Sequence, residues 1–159
     1  MVNLSTRIGA WPWSDNLTDL PDDLIDWKAF GETRNLLGAG FVRILGYFRD
    51  DGIRSVSAIE DARRLKDSAK LVIPAHTLKG EAWQFGAHGL ALLAEEIEVA
   101  ARHYVEIQID PSELVETIVQ LRPVFEATLA ALEAEASPLV ERKPPSAGQR
   151  NALGGMSDG

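Results

Sequence analysis

Residues 75–87 read AHTLKGEAWQFGA. Placed on a helix, where successive side chains turn by about 100°, Ala75, Leu78, Ala82 and Phe85 fall on one face at steps of three, four and three. That stripe is apolar and is expected to face a core. His76, Lys79, Gly80 and Trp83 fall on another face, at i, i+3, i+4 and i+7. The imidazole is therefore expected in solvent, with a cation beside it and a glycine one turn on. Leu78 belongs to the structural side of the motif. Gly86 either allows close helix packing or ends the helix.

Helical periodicity continues outward in both directions. Upstream, Asp67 and Ser68 are placed to start this helix. Before them, Phe41, Ile44, Leu45 and Phe48 share one face of a second helix, and Ile53, Val56 and Ile59 continue its stripe, with Gly52 as a bend. Gly38 and Gly40 separate it from a first short helix that runs from 22 to 37 and is capped by Asp22 and Asp23. Downstream, Gly86 and Gly89 bracket the junction to a fourth helix carrying Leu90, Leu93, Ile97 and Ala101. The fifth start is the clearest: Asp110 as N-cap, Pro111 in the first helical position and Glu113 completing a capping box. Leu114, Ile118, Leu121, Phe125, Leu129 and Leu132 then form a sustained stripe.

Strand-like alternation is missing. Long amphipathic helices with short connections predict an all-α fold, an antiparallel up-down four-helix bundle with a short extra N-terminal helix. The bundle is expected over 22–136. Residues 1–21, with Trp11 and Trp13, read as an extended leader. Residues 137–159, with three prolines and four glycines, read as a disordered tail.

Composition narrows the function classes. The 159 residues suffice for one core, and 45% hydrophobic with 25% charged residues is ordinary for a globular chain. The absence of cysteine excludes disulfides and thiolate metal sites and fits the cytoplasm. Net charge is −8, with 24 acidic against 16 basic residues, which argues against nucleic acid as the partner. No apolar run approaches the roughly 18 residues that cross a bilayer, and the first residues lack the pattern of a signal peptide.

The 75–87 stretch carries the chemistry. Imidazole is substantially neutral near neutral pH, and its free ring nitrogen can attack phosphorus. A cation at Lys79, one turn away, can reach oxygens around a phosphoryl group and stabilise their charge. Gly80 costs about 1 kcal/mol relative to alanine inside a helix. In return it clears room beside His76 for another protein.

The same residues resemble the signature of histidine phosphotransfer (Hpt) domains: His-x-Leu-Lys-Gly, five variable residues, then Gly-Ala. His76, Leu78, Lys79, Gly80, Gly86 and Ala87 match it, and the resemblance covers about 22–135, with Leu90, Leu93 and Glu98 also fitting. It implies that His76 is phosphorylated at Nε2, that Lys79 assists and that Gly80 gives access. Thr77 and Trp83 would belong to the docking surface. The implied partners are receiver domains of response regulators and of a hybrid histidine kinase in a phosphorelay. The chain itself would need no cofactor or metal, since Mg²⁺ resides on the receiver, and it would be a cytoplasmic monomer.

Two residues depart from the family pattern. Pro74 should kink the helix or end its first part. Trp83 is larger than usual there and offers a docking anchor. His88 at the helix junction and His103 near the end of the fourth helix read as structural or solvent-exposed. Glu95, Glu96 and Glu98 read as a solvated charge run. A histidine kinase is disfavoured because no Gly-rich ATP-binding module is present. The rival from another class is a helical module that docks on and sequesters response regulators without phosphotransfer, which has no need of a nucleophile.

Overall fold

A computed structural model describes residues 24–137. The leader tryptophans, the expected caps Asp22 and Asp23, and the tail beyond 137 lie outside the described residues. Five α-helices follow one another: α1 Trp27–Leu37, α2 Phe41–Arg64, α3 Ala69–Gln84, α4 His88–Glu106 and α5 Val115–Ala136. Helices α2 to α5 form the bundle, each packed on the next and α5 closing back on α2, while α1 crosses α2 and α3. No strand occurs among the described residues. The fold is the expected all-helical, four-helix bundle with a short extra N-terminal helix.

The stripes read from the sequence converge on one core. Leu45, Val56 and Ile59 of α2, Leu71, Ala75, Leu78 and Ala82 of α3, Leu90, Leu93 and Ile97 of α4, and Ile118, Leu121 and Leu132 of α5 are buried. An aromatic chain runs through it, Phe30 to Phe41 to Phe85 to Phe48 to Phe125, at centroid spacings of 5.2, 5.9, 5.3 and 5.9 Å. Tilted and edge-on rings at these distances add to the area they bury.

The cap of α1 is Asp26, whose Oδ1 accepts from the Ala29 amide at 3.0 Å. In α2, Ile53 is exposed and the buried position is Gly52, where a Cβ would stand 2.3 Å from Phe125 Cε2. Gly52 thus serves close packing of α2 on α5, not a bend. Helix α3 runs unbroken through Pro74. The carbonyl that loses its donor there belongs to Lys70, an exposed residue, so water can replace the missing bond. Asp67 does cap α3, accepting from the Lys70 amide at 3.2 Å, whereas Ser68 donates to the Ile109 carbonyl at 2.8 Å.

The capping box at α5 does not form. Asp110 accepts from the Ser112 amide at 2.9 Å, but 112–114 tighten into a 3₁₀ turn before α5. Glu113 instead accepts from the Tyr104 hydroxyl of α4 at 3.4 Å. Gly86 fills both expected roles. Its φ of +74° ends α3 in the left-handed region, and a Cβ there would come within 2.5 Å of the Asp26 carbonyl. The Asp26 amide in turn donates to Gly86 O at 2.7 Å, and the Thr33 hydroxyl to Gln84 O at 2.7 Å. These contacts fasten α1 to the end of α3.

Candidate functional site

The exposed face of α3 carries His76, whose side chain is 62% exposed. Leu78, one of its flanking core residues, is fully buried and anchors the helix. Across from His76, α4 presents Glu98, 4% exposed. Its Oε2 lies 3.0 Å from His76 Nδ1. Lys79 Nζ is 2.8 Å from Oε1, and Arg102 donates to Oε2 from Nε at 3.1 Å and from Nη2 at 2.9 Å. One buried carboxylate thus gathers an imidazole and two cations.

This overturns the reading of the acidic run on α4 as a solvated face. Glu96 and Glu98 are both buried. Helix α4 lies between α3 and α5 and is covered over a broad arc that includes Ala91, Ala94, Ala100 and Ala101. An acid flanked by Ile97 and those alanines is carried inside with them. Burial alone would push the Glu98 carboxyl up. Hydrogen bonds from Lys79, Arg102 and His76, with the charge of Lys79, outweigh it and hold the group at about 2. It is therefore an ionised acceptor with no proton to give.

The tautomer of His76 follows from that charge. A carboxylate only accepts, so Nδ1 must carry the proton and donate it to Glu98. Nε2 is left with its lone pair on a side chain that is largely exposed. Lys79 is not free at the surface, as its place one turn from His76 suggested. It reaches Glu98 and is 22% exposed.

The remaining motif residues frame this centre. Around Gly80 a Cβ would meet nothing within 4 Å, so the fold itself makes no demand for glycine there. Thr77 is exposed. Trp83 is 41% exposed, but its ring also lies against His88, with centroids 4.6 Å apart. His88 opens α4, and its Nε2 is 3.9 Å from Asp26 Oδ2. His103 stands in the last turn of α4 beside Tyr104. Neither touches the His76 cluster. Among the described residues no group of three His, Cys, Asp or Glu side chains could hold a metal ion, and no helix is long and apolar enough to cross a membrane.

Neither the part of Arg102 nor the burial of Glu98 is evident from the sequence alone. The available signal was their i, i+4 spacing on α4, a pairing of acid and base that a helix surface favours. It could not say that α3 would set a histidine and a lysine against the same carboxylate.

The family model for the Hpt domain matches residues 43–135. Among solved structures, the chain is similar to the crystal structure of histidine-containing phosphotransfer protein B (HptB) from Pseudomonas aeruginosa PAO1, at a TM-score of 0.62 and 21% identity, over 72% of this chain and 96% of that one. That likeness is one of fold. No curated protein matches. The family match spans α2 to α5, the exposed histidine, its lysine and its glycine, and more than half of the sequence: the chain belongs to the Hpt domain family.

Proposed function

We propose that His76 takes a phosphoryl group on Nε2 from a receiver-domain aspartate and passes it to another in a two-component phosphorelay. The observation that carries this is the exposed imidazole with Nδ1 held by a buried carboxylate, which leaves Nε2 as the free nucleophile. Lys79, 2.8 Å from Glu98, lies close enough to turn toward phosphoryl oxygens as charge builds on them. Gly80 leaves the approach to His76 open, and Thr77 and Trp83 border it as docking contacts.

The partners in this reading are receiver domains of response regulators and of a hybrid histidine kinase, which bring the Mg²⁺ that the transfer uses. The protein acts as a cytoplasmic monomer and makes no phosphohistidine from ATP. The sequestering-module alternative is not favoured, since a pure docking surface has no use for a nucleophile fixed in one tautomer.

The test is transfer of label from a phosphorylated receiver to the purified protein and to His76→Gln. Acid-labile, base-stable label on the wild type and none on the variant is expected. Label that survives His76→Gln, or receivers that bind without transferring, would overturn the assignment.

A further inference from the structure

Transfer from a receiver requires a second protein to settle over the exposed face of α3. Along that face His76, Gly80 and Trp83 stand at i, i+4 and i+7. Seven residues of helix place Trp83 about 10 Å along the axis from His76 and about 20° from its line. Between them a Cβ at Gly80 would meet nothing within 4 Å. The face therefore has a hollow at Gly80 and a bulky ring beyond it. Ala82 and Phe85 supply the core of that turn, whereas Trp83 is 41% exposed.

The indole has a support. It lies against the imidazole of His88, with centroids 4.6 Å apart and planes tilted by 56°, inside the range of attractive aromatic pairs. His88 opens α4, and its Nε2 is 3.9 Å from Asp26 Oδ2. The other oxygen of Asp26 caps α1 through the Ala29 amide. The amides of Asp26 and His88 both donate to the Gly86 carbonyl, at 2.7 and 2.9 Å. Three helices thus converge on one exposed tryptophan. Helix α3 carries it, α4 sets a ring against it, and the residue that caps α1 faces that ring from behind.

We propose that Trp83 selects among receiver domains and that His88 is the positioning residue that holds its ring for docking, an assignment that rests on the phosphotransfer reading above. The partner that fits is a receiver with an apolar recess about 10 Å from its reactive aspartate. A receiver with a charged group at that place would have to bury it against the indole without water, and is rejected. Tryptophan seated in a partner's pocket carries a large share of binding energy. A ring that is already held loses less freedom on docking, so His88 acts on the partner through Trp83.

The experiment measures binding of a panel of purified receiver domains to the full chain by calorimetry, for wild type, Trp83→Ala, His88→Ala and His88→Phe. Trp83→Ala should weaken the tightest receivers roughly tenfold or more and the weakest ones little, so the spread of Kd across the panel contracts. His88→Ala should contract it in the same direction, by roughly threefold to tenfold. His88→Phe keeps a ring against the indole and should restore the spread. In the free protein, ¹⁵N relaxation of the Trp83 indole N–H should report a rigid ring in wild type and His88→Phe and a mobile one in His88→Ala.

No loss in Trp83→Ala, or a loss of equal size for every receiver, would overturn the proposal, because a contact that all partners share selects none. So would an indole that stays as rigid in His88→Ala as in wild type, or one that is freed there while every Kd holds. Trp83→Ala removes a ring from outside the core and stands as a test even if His88→Ala does not fold. Receivers that bind with the expected ranking yet transfer no label to His76 would leave Trp83 its part and sink the relay reading. Absence of binding by every receiver would sink both.

Discussion

Two glutamates meet helix α3 from different situations, and their carboxyl groups are driven in opposite directions. Glu98 reaches it from α4 and is held down at about 2. Glu81 is part of α3, turned toward α2, and is pushed up to about 7, first by burial, then by the neighbouring charge of Asp51 and a hydrogen bond with it, with Arg54 pulling weakly the other way. Burial opposes ionisation in both. What differs is the company. Glu98 has three donors. Glu81 faces another carboxyl, whose own cation, Arg54, pairs with Asp51 at the surface. Donor supply, not depth, decides whether a buried acid is charged. The protein has spent its donors on the side where the histidine is.

The largest effect expected from this contrast is on stability. Glu98→Ala leaves Lys79 mostly buried without its counter-charge, and should cost roughly 2–4 kcal/mol in urea unfolding at pH 7. Arg102 and His76 are exposed enough to be rehydrated, which keeps the figure below that of a fully enclosed cluster. Glu81→Ala, by contrast, removes a poorly matched acid and should cost about 1 kcal/mol or less at the same pH. Equal losses for the two variants would break the comparison.

The pH dependences should run in opposite directions. Glu98 titrates lower in the fold than in the unfolded chain, so its contribution is present above about 4.5 and is lost as pH falls toward 2. Glu81 titrates higher in the fold. Its contribution is full below about 4.5 and is lost as pH rises through 7. Glu81→Gln should therefore match wild type near pH 4 and be the more stable protein at pH 8. The gain should be about 1 kcal/mol, reduced from the full linkage value because the side chain is only partly buried. A gain that is the same at both pH values would show that packing, and not the proton, separates the two side chains.

The parts of this arrangement that could be read in the sequence are those that repeat within one helix. Ala75, Leu78, Ala82 and Phe85 defined the inner face of α3 by spacing alone, and the opposite placement of His76 followed. The capping box expected at Asp110 does not form because its glutamate has another partner, Tyr104 on α4. Gly52 reads as a bend in sequence because Phe125, which packs on it, lies 73 positions away in the chain. Glu98 reads as exposed in sequence because nothing in α4 alone declares which helix will lie against it. Periodicity reports the direction of the core. It does not report which polar group a neighbour will bring, and the site is made of such meetings.

The smallest effect separates stability from function within one turn. Gly80 and Glu81 are adjacent but stand about 100° apart on α3, one toward the His76 face and one toward α2. A methyl group at 80 would touch nothing within 4 Å, and alanine is the better helix former by about 0.5–1 kcal/mol. Gly80→Ala should therefore raise the urea midpoint. Labelling of His76 by phosphoramidate, a reagent small enough to pass a methyl group, should be unchanged. Transfer from a receiver, whose surface must settle over that turn, should slow several-fold. If both kinds of labelling survive intact, the open space at Gly80 is not where the partner sits, and access to His76 is governed instead by Thr77 and Trp83. If the variant is stabilised but loses only the receiver reaction, the glycine is kept at the expense of the helix for the sake of the docked partner.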